Sequence, residues 1–137
     1  METPELEVVA VNDLMSIENA AYLFKYDRVH RIYEREISVQ NNHLLVGDKK
    51  ILFISEKDPA QFLWKRLDIN VVIESTGFFK NKVDAEKHIH AGAKTVVISA
   101  PTKSKDTPTV LHGVNTLDGK HQYFHAQVVQ LIVLALS

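Results

Sequence analysis

Three apolar runs of this sequence end in residues that could contact a small ligand. They end at Asn12-Asp13, at Ser75-Thr76-Gly77 and at Ser99-Ala100. In open α/β sheets, ligands bind at the carboxyl ends of the strands. These residues are therefore candidate ligand contacts, provided that the apolar runs before them are strands.

Asp13 and Gly77 suggest a particular ligand. A carboxylate at a strand end can accept hydrogen bonds from both hydroxyls of a ribose, and it repels a 2′-phosphate, so Asp13 favours NAD over NADP. Gly77 allows close backbone approach, and Phe78 could stack on a base or enclose it. A simpler alternative, which position and composition alone favour, is that Asp13 caps the next helix and Gly77 only makes a turn.

The sequence gives little indication of a metal site or of a reactive thiol. The chain has no cysteine, which excludes a disulfide, a thiolate nucleophile and a Cys-based metal site. His88 and His90 are two residues apart on a predicted helix and point away from each other. His121 and His125 have the spacing of a helical metal pair, but no helix is assured there. We therefore predict no metal site and interpret the histidines as solvated or locally hydrogen-bonded.

The elements that would position these residues alternate along the chain. Ser16 is a predicted N-cap, and the apolar residues after it have helical spacing. Helices are also predicted from Asp58-Pro59 to about Leu67 and over 84–91, where Gly92 is the stop. Strands are predicted over 7–11, 37–40, 44–46, 49–55, 70–75, 95–99 and 109–114. Continuous apolar strands separated by helices indicate an α/β fold, with a parallel sheet covered on both faces.

Composition excludes several other classes of protein. The 137 residues are 45% hydrophobic and 24% charged, with a net charge of -1, so we expect no nucleic-acid partner. The most apolar run, Val128 to Leu136, is much shorter than the roughly 20 residues that span a bilayer. No signal peptide is apparent at the start. We expect a soluble cytoplasmic protein with no membrane contact.

Several segments, in order and in register, resemble one known family. They are VVAVND, YLFKYDRVH, EKDPAQFLW, VVIESTGFF and AGAKTVVISAPTK…DTPTVLHGVN. Together they resemble the NAD-binding region of phosphorylating glyceraldehyde-3-phosphate dehydrogenase, over about residues 6–120. The resemblance implies a Rossmann-like doubly wound parallel sheet, NAD as cofactor and a homo-oligomeric family.

The resemblance also assigns cofactor contacts. Asp13 is similar to the adenosine-ribose ligand, and Lys57 stands near the adenine. Thr76 and Gly77 resemble the segment beneath the dinucleotide, which Phe78 and Phe79 border on the adenine side. Ser99 resembles the contact before the Ala-Pro turn.

Two features of the family are missing. No G-x-G occurs in the chain, which resembles the family only from its second strand onward. The expected fold is therefore a partial sheet without the first strand and its Gly-rich loop. That strand is central in the family, so the VVAV and VVIES strands should each lose a neighbour, and NAD binding should be weak.

The second missing feature is the catalytic cysteine. The family continues after GVN to Ser-Cys-Thr-Thr-Asn, whereas residues 121–137 differ. A one-base shift of frame allows Phe124 through Val133 to be read as Ser-Cys-Ala-Ser-Cys-Thr-Thr-Asn-Cys, which contains this motif. We therefore interpret 1–120 as a partial NAD-binding domain and 121–137 as a divergent, frameshifted tail. A genuine C-terminal strand or helix is the weaker alternative.

These features predict a catalytically inactive relative of an NAD-dependent aldehyde oxidoreductase, with no catalytic residue of its own. One alternative is a non-catalytic module that binds adenosine or associates with an intact subunit. Another is a product of gene degradation without function.

Overall fold

The computed structural model describes residues 6–27, 31–99, 107–110, 115–116 and 121–126. The chain divides into two compact units, Met1–Lys57 and Asp58–Ser137, here called the first and the second unit. The elements of the first unit are β1 (Ala10–Asn12), α1 (Ile17–Lys25), β2 (Tyr26–Asp27), β3 (Arg31–Ile32), β4 (Ile37–Gln40), β5 (His43–Val46) and β6 (Lys49–Ile54). Those of the second unit are a 3₁₀ helix (Pro59–Gln61), β7 (Val71–Glu74), α2 (Lys82–His90), β8 (Thr95–Ile98), β9 (Thr109–Val110) and β10 (Tyr123–Ala126).

The first unit contains a sheet with the strand order β1-β6-β5-β4. β1 lies parallel to β6, whereas β4, β5 and β6 pair antiparallel. Asn41 makes the turn between β4 and β5 with a φ of +53°, and Gly47 makes the next turn with a φ of +61°. Both turns fall between strands that the sequence predicts. The sheet is mixed rather than wholly parallel, because such short connections can join only antiparallel neighbours.

Helix α1 covers one side of this sheet. The Ser16 hydroxyl accepts a hydrogen bond from the Asn19 N–H at 3.3 Å, which confirms the predicted N-cap. Its apolar stripe, of which Phe24 is the largest member, packs against the buried core of Leu44, Val46, Ile51 and Phe53. Helical spacing alone therefore identified the buried face of α1.

The predicted helix from Asp58-Pro59 to Leu67 is wrong beyond its first turn. Asp58 caps a 3₁₀ helix that ends at Gln61, and Phe62 is already extended, with a ψ of 144°. Exposure then alternates along the chain: Phe62 is 7% exposed, Leu63 49% and Trp64 5%. An extended backbone buries both aromatic rings on one side, which a helix could not do with residues two apart.

Helix α2 starts two residues before its predicted beginning, with Asn81 as the N-cap. Its predicted end is confirmed, since Gly92 follows the C-cap Ala91 with a φ of +109°. A Cβ atom on Gly92 would lie 2.5 Å from the backbone nitrogen of Lys65. That nitrogen donates to the Ala91 carbonyl at 2.9 Å, so the glycine permits a close backbone contact.

The second unit contains a wholly parallel sheet with the order β7-β8-β10-β9. This sheet and α2 confirm the α/β class and its Rossmann-like character. β9 covers the start of the predicted 109–114 strand, and Leu111 to Val114 lie outside the described residues. β10 lies within the predicted tail, so at least Tyr123–Ala126 of that tail form a strand of the sheet.

One side of this sheet packs on α2, through Val96, Ile98 and Ala85. On the opposite side, Val71 is 48% and Ile73 is 69% exposed. Within the described part of the chain, the predicted cover on both faces is therefore present on one face only.

Both β1 and β7 lie at an edge of their sheets. Among the described residues, β1 pairs only with β6 and β7 only with β8, as the predicted loss of a neighbour requires.

None of the helices in the described segments has the length and apolar character needed to cross a membrane.

Candidate functional site

The predicted cofactor contacts fall into both units. Asp13 and Lys57 belong to the first unit, whereas Thr76, Gly77, Phe78 and Ser99 belong to the second. Each group lies where parallel strands end, which is the edge of a sheet where ligands bind.

In the first unit, Asp13 directly follows β1. Its N–H donates to the Ile54 carbonyl at 3.1 Å, and its carboxylate Oδ1 accepts from the Met15 N–H at 3.0 Å. The alternative that Asp13 caps α1 is not what the structure shows, because Ser16 is the cap. Asp13 instead stabilises the turn before the helix, and its side chain is half-buried.

Asn12 joins the ends of the two parallel strands. Its amide donates to the Glu56 carbonyl at 3.1 Å, and its oxygen accepts from the Glu56 N–H at 2.9 Å. Lys57 follows directly, with an exposed side chain. Asn12 thus holds the segment carrying Lys57 against the end of β1, a role that sequence analysis missed.

In the second unit, a tight turn follows β7. The N–H and the hydroxyl of Thr76 both donate to Oε1 of Glu74. The Thr76 hydroxyl oxygen accepts from the Phe78 N–H at 3.2 Å. Gly77 has a φ of +75° and Phe78 is 85% exposed. The segment Thr76-Gly77-Phe78, here called the β7 turn, is therefore held by a single carboxylate behind it.

Ser99 brings the end of β8 beside the end of β7. Its N–H and its hydroxyl both donate to the Glu74 backbone carbonyl, at 2.9 and 3.1 Å. The structure thus places Ser99 next to the residue that holds the β7 turn, so four of the six predicted contacts are grouped.

The Glu74 carboxylate continues into a buried hydrogen-bonded cluster. Its Oε2 lies 3.1 Å from Nε2 of His88, and the Trp64 indole N–H donates to His88 Nδ1 at 3.2 Å. Trp64, His88 and Glu74 are 5%, 2% and 5% exposed. Burial raises the pKa of Glu74, but hydrogen bonds from His88 and Thr76 outweigh burial and lower its pKa overall. The carboxylate is therefore negatively charged at neutral pH.

Glu74 is not among the predicted site residues. The sequence pattern indicates only that Glu74 belongs to an apolar strand and that His88 is one of seven histidines. A usable signal exists, because a carboxylate inside an apolar buried strand requires partners. Its distant partner, His88, lies 14 residues away. The partner of His88, Trp64, lies elsewhere in the chain, and the sequence identifies neither contact.

The remaining aromatic and histidine candidates differ in whether their side chains face the core or the solvent. Phe79 packs edge-on against the His88 ring at 6.4 Å, so it faces the core, whereas Phe78 faces solvent. His90 on α2 is exposed. His125 lies on a strand, so its spacing from His121 is not that of a helical pair.

Comparisons with known proteins place this chain in a family. Residues 1–82 match the family model described as Glyceraldehyde 3-phosphate dehydrogenase, NAD binding domain. Glyceraldehyde-3-phosphate dehydrogenase of Chlamydia muridarum is 49% identical over 119 residues, which cover 87% of this chain and 34% of the relative. The protein of the same name from Geobacillus stearothermophilus is 46% identical over 115 residues, 84% of this chain and 34% of the relative.

A chloroplastic relative is comparably similar. Glyceraldehyde-3-phosphate dehydrogenase A of Chlamydomonas reinhardtii is 45% identical over 119 residues, 86% of this chain and 32% of the relative. This chain spans about a third of the length of the curated relatives it matches. The matched family model covers more than half of the chain, which therefore belongs to the glyceraldehyde-3-phosphate dehydrogenase family and resembles its NAD-binding region.

Proposed function

We propose that this chain is a partial NAD-binding region that binds the adenosine half of NAD and performs no dehydrogenase chemistry by itself. The β7 turn supports the proposal most strongly, because it presents an exposed aromatic ring and a glycine at the end of a parallel strand. The family match supports NAD as the ligand. In this proposal, residues 1–120 bind the cofactor and 121–137 are the divergent tail.

Each residue of the β7 turn has a distinct task in this proposal. Gly77 has open space where a Cβ would lie: among the described residues, only the end of the Lys80 side chain comes within 4 Å. A ligand can therefore approach its backbone. Phe78 stacks on the adenine or covers its edge. Ser99, at the end of the neighbouring strand, is a further polar contact.

In the first unit, Asp13 is proposed to bind the adenosine ribose. Its Oδ1 accepts one backbone hydrogen bond, and a carboxylate has about four acceptor positions, so capacity for two ribose hydroxyls remains. The negative charge disfavours a 2′-phosphate and hence NADP. The exposed Lys57 is proposed to lie near the adenine.

Binding should be weak and mainly to the adenosine half. Within these 137 residues no G-x-G loop holds the pyrophosphate. We expect an NAD dissociation constant of about 1 mM or weaker, which corresponds to roughly -4 kcal/mol. The same constant is expected for ADP-ribose, because the nicotinamide adds no contact in this proposal. Titration followed by amide NMR shifts measures both constants.

Asp13→Asn tests the assignment of the ribose contact. Asparagine can still accept from the Met15 N–H, so the turn before α1 is kept, but the charged acceptor is lost. We expect NAD binding to weaken about tenfold, with less discrimination against NADP. Asp48→Asn, which alters an exposed carboxylate in a hairpin turn, is the matched control. Equal NAD constants for Asp13→Asn and the unaltered chain would refute the ribose contact.

The catalytic part of the proposal rests on composition. A thiolate nucleophile is required for oxidation through a thiohemiacetal, and these residues include no cysteine. The purified chain should show no NAD-dependent oxidation of glyceraldehyde-3-phosphate above buffer. Turnover that persists after contaminating full-length enzyme is removed would overturn this statement.

A second candidate function is association with an intact subunit of the family. The exposure of Val71 and Ile73 on β7 favours it, since exposed apolar edge strands pair readily. Light scattering of the chain mixed with the Geobacillus stearothermophilus relative should then show a complex that Ile73→Lys abolishes and Leu63→Lys leaves intact.

The frameshift remains our proposal for the origin of the tail. The gene should contain a one-base insertion or deletion near Gln122-Tyr123, with Ser-Cys-Thr-Thr-Asn encoded in another frame downstream. The nucleotide sequence decides this directly, and absence of the motif from all frames rejects it.

A further inference from the structure

The buried cluster behind the β7 turn has only one consistent arrangement of hydrogens. An indole N–H can donate but not accept, so Nδ1 of His88 must be the acceptor for Trp64. The proton of a neutral His88 then sits on Nε2 and is donated to Oε2 of Glu74. The other oxygen of Glu74 accepts both donors of Thr76. Donation therefore runs from Trp64 through His88 to Glu74.

Aromatic packing around His88 excludes water that could otherwise hydrogen-bond to these polar groups. Phe62 stacks on the His88 ring with centroids 5.4 Å apart, and Phe79 meets the same ring edge-on. The three polar side chains are nearly inaccessible to solvent. In the other neutral tautomer of His88, Nδ1–H would face the Trp64 N–H and Nε2 would face a carboxylate oxygen. Both contacts would then be repulsive, in a site where polar groups cannot find other partners.

The hydroxyl of Thr76 connects the Glu74 carboxylate to the β7 turn. Because that hydroxyl gives its hydrogen to Glu74, its oxygen is free to accept from the Phe78 N–H. Thr76 and Phe78 are thereby joined across Gly77. The β7 turn is thus hydrogen-bonded to a carboxylate that is almost completely buried.

We propose that Glu74 is a positioning residue for the adenosine site, aligned by the one-directional hydrogen-bond chain Trp64–His88–Glu74, and that this chain sets the conformation of the β7 turn. The inference rests on the proposed function, since the turn is the proposed contact for adenosine. Glu74 itself touches no ligand.

Glu74→Gln tests this directionality with almost no change of shape. The glutamine oxygen can serve Thr76, but its NH₂ then faces Nε2 of His88. His88 must move its proton to Nδ1, where it opposes the Trp64 N–H. We expect amide hydrogen exchange at Thr76 and Phe78 to accelerate about tenfold, and ADP-ribose to bind about tenfold more weakly. Exchange in α1 and β5 should not change.

A double variant provides the decisive arm. In Trp64→Phe/Glu74→Gln the opposing indole N–H is absent, so His88 can carry its proton on Nδ1 and accept from the glutamine. The effect of Glu74→Gln on turn exchange should therefore be at least halved in the Trp64→Phe background. If Glu74 only fills space, the effects of Trp64→Phe and Glu74→Gln on exchange in the β7 turn should simply add. Additive effects would overturn the inference. Glu86→Gln, on the solvent side of α2, is the control and should match the unaltered chain.

A measurement on the unaltered chain needs no variant to fold. The ¹⁵N spectrum of His88 should show a protonated Nε2 and an unprotonated Nδ1, and the opposite tautomer overturns the inference. Unchanged exchange at Thr76 and Phe78 in Glu74→Gln also overturns it, whatever the ligand does. If exchange accelerates as expected but the unaltered chain does not bind ADP-ribose at about 20 mM, the adenosine function fails while the control of the turn by Glu74 stands.

Discussion

The two units of this chain have different kinds of core. The buried side chains described in the first unit are all apolar, namely Leu44, Val46, Ile51 and Phe53. In the second unit, apolar Val96 and Ile98 lie beside buried Glu74, His88 and His125. The stability of the first core depends on how well apolar side chains fill its volume. The stability of the second core depends also on the direction of its hydrogen bonds.

This difference determines which substitutions each unit tolerates. Apolar burial is non-directional, so a core of this kind accepts changes that conserve volume. A buried polar cluster is stable only while every member has a partner, and one lost partner leaves an unpaired group out of water. The proposed adenosine turn lies against the polar core, where geometry is set more tightly.

The largest effect is expected from emptying the apolar core. Phe53→Ala removes a ring that is 7% exposed and leaves a cavity, so the free energy of unfolding should fall by about 4 kcal/mol. Phe53→Leu, which conserves most of the volume, should lose about 1 kcal/mol. Urea unfolding followed by circular dichroism measures both. Similar losses for the two variants would show that the first unit is not held by volume.

A smaller effect is expected from a glycine in the second unit. Gly92→Ala places a Cβ about where the Lys65 backbone lies and should lower stability by about 3 kcal/mol. Gly77→Ala has open space and meets only the strain of its positive φ, so about 1 kcal/mol is expected. Thermal melting of the two variants compares these losses. The reverse order would mean that the contact between Gly92 and Lys65 does not form.

Removal of one member of the polar cluster should have a still smaller effect. His88→Leu leaves the Trp64 N–H and one oxygen of Glu74 without their partner, which should lower stability by about 2 kcal/mol. Ile51→Leu, which conserves the side-chain volume in the apolar core, should lower the free energy of unfolding by less than about 1.5 kcal/mol. If both variants lose the same stability in urea, directionality contributes nothing to the second core.

The smallest effect should come from pH, through two buried groups of the second unit. Burial lowers the pKa of His125, and the native state lowers that of Glu74, so the unfolded chain binds more protons at both groups. Stability is thus fully present above the unfolded pKa values. It declines as pH falls, first below about 6.5 for His125 and then below about 4.5 for Glu74.

Hydrogen exchange between pH 7 and pH 4 separates the two contributions. His125→Leu should remove the decline in the upper window and leave the lower one. A stability profile that rises as pH falls from 7 to 5 would contradict the sign of the His125 shift, and one that rises below pH 4.5 would contradict that of Glu74.

Local sequence determined much of this protein. Ser16 and the apolar spacing behind it specify α1, and Asn41 and Gly47 specify the hairpins, because capping and turn formation depend on neighbouring residues only. The strand-end positions of Asp13 and Ser99 followed from the same patterns. The family also followed from the sequence, because its motifs lie in register along the chain.

Tertiary structure alone decided the rest. The segment from Phe62 to Trp64 abandons the helix that Asp58-Pro59 predicts, because burying two aromatic rings against His88 outweighs local propensity. Tyr123–Ala126 becomes a central strand because β8 and β9 lie on either side of it. Glu74 acquires its role only when His88, 14 positions away, donates to its carboxylate and Trp64 in turn donates to His88. Such partners are brought together by packing across the sheet, and no spacing along the chain encodes them.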